Sequence, residues 1–151
     1  MIKVNELRLN NIVTVDNPEY HPRLKDVPLR VKEVICNHID NEEEYVISLE
    51  HVSMIPNKLY STYWQFIGFI KPIELTEDVL MKCGFRKHKL MGYDSHFTYS
   101  IFMGGEVINI TAIYNADFSI MLHSVARKIK YLHELQNLYY AITKQELEVN
   151  L

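Results

Sequence analysis

Glycine is scarce in this chain: five residues serve all 151 positions. A backbone cradle for phosphate groups, which glycines in tight turns build, therefore has little to be made from. The sequence also lacks a P-loop, a dinucleotide-binding glycine pattern, a zinc-protease helix motif and a nucleophile elbow. Nucleotide enzymes are the class most directly excluded. Cysteine is scarcer still. Cys36 and Cys83 are too few for a disulfide framework and too far apart for a paired metal motif, so a reducing cytoplasm is the expected location. Long apolar runs are missing as well. No segment approaches the roughly 20 apolar residues that a membrane-spanning helix needs, and Met1-Ile2-Lys3-Val4-Asn5-Glu6 offers no stretch of signal-peptide length. Neither export nor membrane insertion is expected. Finally, there is no dominant charge: 16 Lys and Arg stand against 19 Asp and Glu, a formal net charge of -3. Any contact with nucleic acid would have to come from a local patch.

What is present describes a folded chain. Hydrophobic residues make up 48% and charged residues 23%, far from the composition of disorder, and the length suffices for a core. The expected architecture is α+β, one compact unit over 1–151 with sub-parts 1–71 and 72–151. In the first part, short strands at Ile12–Val15, Leu29–Cys36, Tyr45–Glu50 and Tyr63–Ile70 suggest a small antiparallel barrel or curled sheet, SH3-like in plan. Leu29, Val31 and Ile35 alternate with Arg30, Lys32 and Val34, with Glu33 out of place on the apolar side. Three prolines mark Asn17–Pro28 as an exposed loop, and Asn37–Glu43 reads as a polar turn. In the second part, Thr76 caps a short helix to Cys83, with Glu77 and Asp78 in its first turn, a Leu75–Leu80 staple and a stop at Gly84. A strand over Phe85–Met91 is expected to lead into a hairpin. There Phe97, Tyr99, Ile101 and Met103 are joined through Gly104-Gly105 to Ile108, Ile110 and Ala112, and Phe118, Ile120 and Leu122 follow in a further strand. The meander ends in an amphipathic helix from about Arg127 to Ile142, whose Leu132, Leu135, Tyr139 and Ile142 stripe is expected to lie on the sheet.

Three strings carry a resemblance. Lys71-Pro72-Ile73-Glu74-Leu75-Thr76 running to Lys82-Cys83-Gly84-Phe85, Ile129 to Thr143, and Glu6-Leu7-Arg8-Leu9-Asn10-Asn11-Ile12-Val13 resemble a family of small proteins from phages, prophages and mobile elements of gut Bacteroidetes-type bacteria. That family usually has glycine where Asn10 stands, a mild departure because Asn tolerates left-handed backbone geometry. The resemblance implies a phage or mobile-element origin and the same α+β plan. It implies no activity, substrate or catalytic residue.

Candidate chemistry is sparse. Seven histidines, His21, His38, His51, His88, His96, His123 and His133, include three that could converge as metal ligands, His21, His38 and His51. Scattered surface histidines are the plainer expectation, and no metal or cofactor is expected. Cys36 with His38, or Cys83 with His88, have the residue types of a nucleophile and base, but Cys83 falls on the buried side of its helix, where inert packing is expected. Arg86-Lys87-His88-Lys89 and Arg127-Lys128-Ile129-Lys130 are basic clusters that would contact phosphates if they shared one edge. Arg127, Lys128 and Lys130 are the candidate contacts, with Tyr60, Tyr63 and Trp64 to stack on bases. On the last helix, His133, Gln136, Asn137 and Tyr140 are spaced as a polar, solvent-facing patch suited to a protein interface. The expectation is a non-enzymatic protein that binds a protein partner through that patch or through Tyr60, Tyr63 and Trp64. Nucleic-acid binding comes second and a small hydrolase or metal enzyme third.

Overall fold

In the computed structural model, residues 2–39, 42–52, 62–89, 96–103, 106–113, 117–122 and 125–151 are described. The chain divides into two compact units, Met1–Ile73 and Glu74–Leu151. Both are built on antiparallel sheets, and among the described residues the second holds two α-helices, which makes the protein α+β.

The first unit holds β1 (Ile12–Val15), β2 (Leu29–Ile39), β3 (Glu42–His51), β4 (Thr62–Phe66) and β5 (Ile70–Lys71), in the spatial order β4-β3-β2-β1-β5. β2 and β3 outrun the expected strands: their pairing runs from Leu29↔His51 to Ile39↔Glu42, so Asn37 to Glu43 is mostly ladder rather than turn. The aromatic run expected as one strand is two. A 3-10 turn at Ile67–Phe69 redirects the chain after β4, and β5 joins the opposite edge of the sheet beside β1. Among the described residues β4 and β5 do not pair, so the sheet is open and the closed-barrel alternative is not realised. The expected exposed loop before β2 is also partly inside. A 3-10 turn at Pro22–Leu24 and a bridge between Val15 and Lys25 fold it back, which buries Leu24 and Asn17. Asn17 Nδ2 donates to Gln65 Oε1 at 2.9 Å, a buried amide pair linking this segment to β4.

The core of this unit gathers Val13, Val15, Leu24, Leu29, Val31, Ile47, Leu49 and Ile70, with Val34 packed beside them. Val34 is the departure from simple alternation. The β2–β3 register shifts between Val31 and Glu33, and a β-bulge of this kind reverses which side chains face the core. Before it Leu29 and Val31 point inward. After it Val34 opposes buried Ile47, while Glu33 is exposed and Ile35 moves to the outer face opposite Val46.

The second unit holds α1 (Glu77–Lys82), β6 (Arg86–Lys89), β7 (His96–Met103), β8 (Glu106–Ile113), β9 (Asp117–Leu122), β10 (Val125–Ile129) and α2 (Leu132–Thr143). Its sheet runs β10-β9-β8-β7-β6, a plain meander. The β7–β8 pair closes at Met103↔Glu106, as the hairpin reading requires, although Gly104 and Gly105 themselves lie outside the described residues. The cap of α1 is as expected: Thr76 Oγ1 accepts from Val79 N at 3.3 Å. Its end is a full Schellman motif. Gly84 has φ +83, Gly84 N donates to Met81 O at 3.0 Å, and Phe85 N donates to Leu80 O at 3.1 Å with both side chains buried. α2 begins five residues later than expected from Arg127, because residues 125–129 pair with β9 instead, from Val125↔Leu122 to Ile129↔Phe118. Glu134 Oε2 marks the true start by accepting from Lys130 N at 2.8 Å and Tyr131 N at 3.0 Å. Leu132, Leu135 and Tyr139 of the apolar stripe are buried.

Asn10 has φ 70, and its N donates to Val31 O at 2.8 Å next to the bulge. Asn10→Gly is expected to leave stability to urea unchanged or slightly higher, whereas Asn10→Val should lose about 1–2 kcal/mol through left-handed strain.

Candidate functional site

The most exposed large side chains that share one element in the first unit are on β4. Along this edge strand Thr62, Trp64 and Phe66 point to one face and Tyr63 and Gln65 to the other. Trp64 is 48% and Phe66 46% exposed. Register places Phe66 beside Val46 and then Ile35, and Trp64 beside Ser48 and then Glu33. Directly opposed residues share a face, so the outer surface carries two aromatics and two half-buried aliphatics, with the carboxylates of Glu33 and Glu44 on the same face. Glu50, further along β3, is held by Lys32 at 3.2 Å. Tyr63, expected with Trp64, turns instead toward the core side. His51 Nε2 lies 3.1 Å from Tyr63 Oη, and the His21 and His51 rings meet the Tyr63 ring edge-on at 6.1 and 5.4 Å. Tyr60 lies outside the described residues.

His21 and His51 thus converge on a tyrosine, and His38 does not join them. His38 is at the far end of the β2–β3 pair, opposite Glu43, with exposed Cys36 two residues away on the same strand face. Cys83 is buried, as expected of its position, and burial pushes its thiol up to about 12.

The polar patch expected on α2 is not a solvent-facing one. His133 is 1% and Gln136 2% exposed, and of the four residues only Tyr140, at 37%, is exposed. At 3.6 residues per turn Gln136 sits about 40° round from Leu132, inside the apolar stripe rather than opposite it. His133 stacks on Tyr131 with centroids 5.8 Å apart and planes at 14°. All four of His133, Gln136, Asn137 and Tyr140 have an interaction partner.

The two basic clusters do not share an edge. β6 and β10 end the sheet on opposite sides, four strand spacings or roughly 19 Å apart at about 4.8 Å each. Within β6, Lys87 is committed elsewhere: its Nζ donates to both Glu77 carboxylate oxygens at 2.8 Å and lies 3.9 Å from the centre of the Phe97 ring. Tyr99 Oη donates to Glu77 Oε2 at 3.0 Å. Lys87 and then Tyr99 hold the Glu77 carboxyl below its ordinary 4.5. That contribution to stability is present above pH 4.5 and is lost as pH falls below it, through the lowered value. Lys128 and Lys130 are exposed and interact with other groups. Arg127 opposes Ile120 in β10, and its side chain lies outside the described part of the structure.

Comparisons of the chain with family models, curated proteins and solved structures gave no match in any of the three.

Sequence reasoning found Trp64 but missed Phe66, Val46 and Ile35. The alternation Thr62, Trp64, Phe66 was the available signal for the first of these.

Treatment of the native protein with iodoacetamide at pH 8 is expected to modify Cys36 and leave Cys83 unmodified in the mass spectrum. Comparable labelling of the two would mean that Cys83 is not packed inside.

Proposed function

We propose that this chain is a non-enzymatic accessory protein of a phage or mobile element, and that its first unit is an SH3-like module binding a protein segment on the outer face of β3 and β4. The observation that carries this reading is the exposure of Trp64 and Phe66 two residues apart on one face of an edge strand. Large aromatics held by a sheet give contact area at small entropic cost, and such residues dominate binding energy at interfaces. The edge position adds backbone groups to which an extended segment can pair.

The SH3-like assignment rests on the strand order β5-β1-β2-β3-β4 with a 3-10 turn between the two outermost strands. Charge narrows the partner. Glu33 and Glu44 share the face with the aromatics, so the fitting segment carries apolar side chains with at least one Lys or Arg beside them. Arg30, opposite Glu50, and Lys32 put positive charge at the other end of this face, so what disfavours nucleic acid is that the basic clusters suited to it stand on opposite edges of the second sheet.

The test is capture of partners by the tagged full-length chain from host lysate after nuclease digestion, followed by affinity measurement on the purified partner. The reading expects a stoichiometric, nuclease-resistant protein whose affinity falls about tenfold or more in a Trp64→Ala, Phe66→Ala double variant. Because both side chains are half exposed, each substitution should cost only about 0.5 kcal/mol of stability. Tyr140→Ala should bind as the unaltered chain does. Binding that survives the double variant, or that nuclease removes, contradicts the proposal.

A further inference from the structure

The core-side face of β2 and β3 continues past the core. β4 covers β3 only from Val46 to Glu50, so from Cys36 and Tyr45 onward β2 and β3 project as a two-stranded ribbon. Because the bulge reverses facing, the core-side positions on that ribbon are Cys36 and His38 on β2 and Tyr45 and Glu43 on β3, directly opposed as Cys36↔Tyr45 and His38↔Glu43. Four functional groups therefore stand together on one face: a thiol, an imidazole, a carboxylate and a phenol. Cys36, His38 and Glu43 are all exposed, and one ligand atom from each lies within 4.8 Å of the others. Tyr45 Oη donates to Glu43 Oε2 at 2.7 Å.

We propose that Cys36, His38 and Glu43 bind a divalent cation of the zinc class on this ribbon, with Tyr45 holding the Glu43 carboxylate in place. The donor set chooses the metal. Sulfur and imidazole nitrogen suit zinc and its neighbours, whereas magnesium and calcium take oxygen ligands. The geometry is close. Ligands at about 2.0–2.3 Å from tetrahedral zinc are roughly 3.4–3.6 Å apart, so the three atoms must approach by about 1 Å, a movement that exposed side chains on fixed strands can make by rotation. Three protein ligands leave a fourth position open to water or to a donor from a bound molecule. The hydrogen bond from Tyr45 is the kind of outer contact that orients a ligating carboxylate. This site faces away from the aromatic surface proposed for protein binding and does not depend on it.

The test uses the full-length protein, freed of metal and titrated with Co2+ and then Zn2+. The expected result is one equivalent of Co2+ bound, with a thiolate-to-cobalt charge-transfer band and strong visible absorption of tetrahedral type, bleached by one equivalent of Zn2+. Cys36→Ser should abolish the charge-transfer band. His38→Ala and Glu43→Gln should each weaken binding more than tenfold, Tyr45→Phe should weaken it about tenfold, and Cys83→Ser should leave it unchanged. Since the ligands are exposed on a ribbon outside the core, far-ultraviolet circular dichroism of each variant should match the unaltered chain. The proposal is overturned by the absence of a thiolate band, by a band that survives Cys36→Ser, or by affinity indifferent to both His38→Ala and Glu43→Gln.

Discussion

The β-bulge between Val31 and Glu33 is the constraint on which the first unit depends. In a regular ladder the side chains that follow Leu29 and Val31 on the core side would be Glu33 and Ile35. A carboxylate would then enter an apolar interior, where burial of an unpaired charge is costly. The extra residue keeps Glu33 exposed, gives Val34 to the core opposite Ile47, and sends Ile35 outward to lie beside Val46 and Phe66. The same reversal sets Cys36 and His38 on the core-side face with Tyr45 and Glu43. One inserted residue thus sets what β2 contributes to both proposed surfaces, Ile35 and Glu33 on the aromatic outer face and Cys36 and His38 on the other. Asn10, in left-handed conformation and bonded to Val31 O, braces the chain at this point.

The second unit is organised by the ends of its helices. Gly84 and the Leu80–Phe85 contact turn the chain from α1 into β6, and Glu77 in the first turn of α1 is tied to Lys87 of β6 and Tyr99 of β7. At the other end Glu134 caps the backbone where β10 stops. Leu75 N donates to Lys130 O at 2.8 Å and Glu74 bridges to Tyr131, so the residues leading into the two helices are themselves paired. A helix extended back to Arg127 would forfeit this pairing and the whole of β10.

Features set by local chemistry were legible in the sequence: the Ile12–Val15 strand, the Thr76 cap, the Gly84 stop and the glycine-linked hairpin each depend on a few neighbouring residues. Features set by distant pairing were not. Nothing local distinguishes the helix-like spacing of Arg127 to Tyr131 from a strand that β9 accepts, and although Gly68 marks a break in the aromatic run, nothing local shows that the chain crosses to the other edge of the sheet. The α2 patch failed for a related reason. Residue type alone points Gln136 and His133 to solvent, but Gln136 lies within the apolar stripe by angle and His133 is buried beside it. Of the candidate sites, Trp64 was visible as an aromatic in a strand. Glu43 was hidden because Asn37 to Glu43 reads as a polar turn, and only the long β2–β3 register brings it opposite His38.

Nuclear Overhauser contacts across β2 and β3 report which faces the bulge makes the two strands present. Side-chain contacts are expected from Val34 to Ile47, from Cys36 to the Tyr45 ring and from His38 to Glu43. Contacts from Glu33 to Ile47, from Ile35 to Tyr45 and from Asn37 to Glu43 would show an unbulged ladder, which would place Cys36 and His38 on the opposite face and contradict the bulged register.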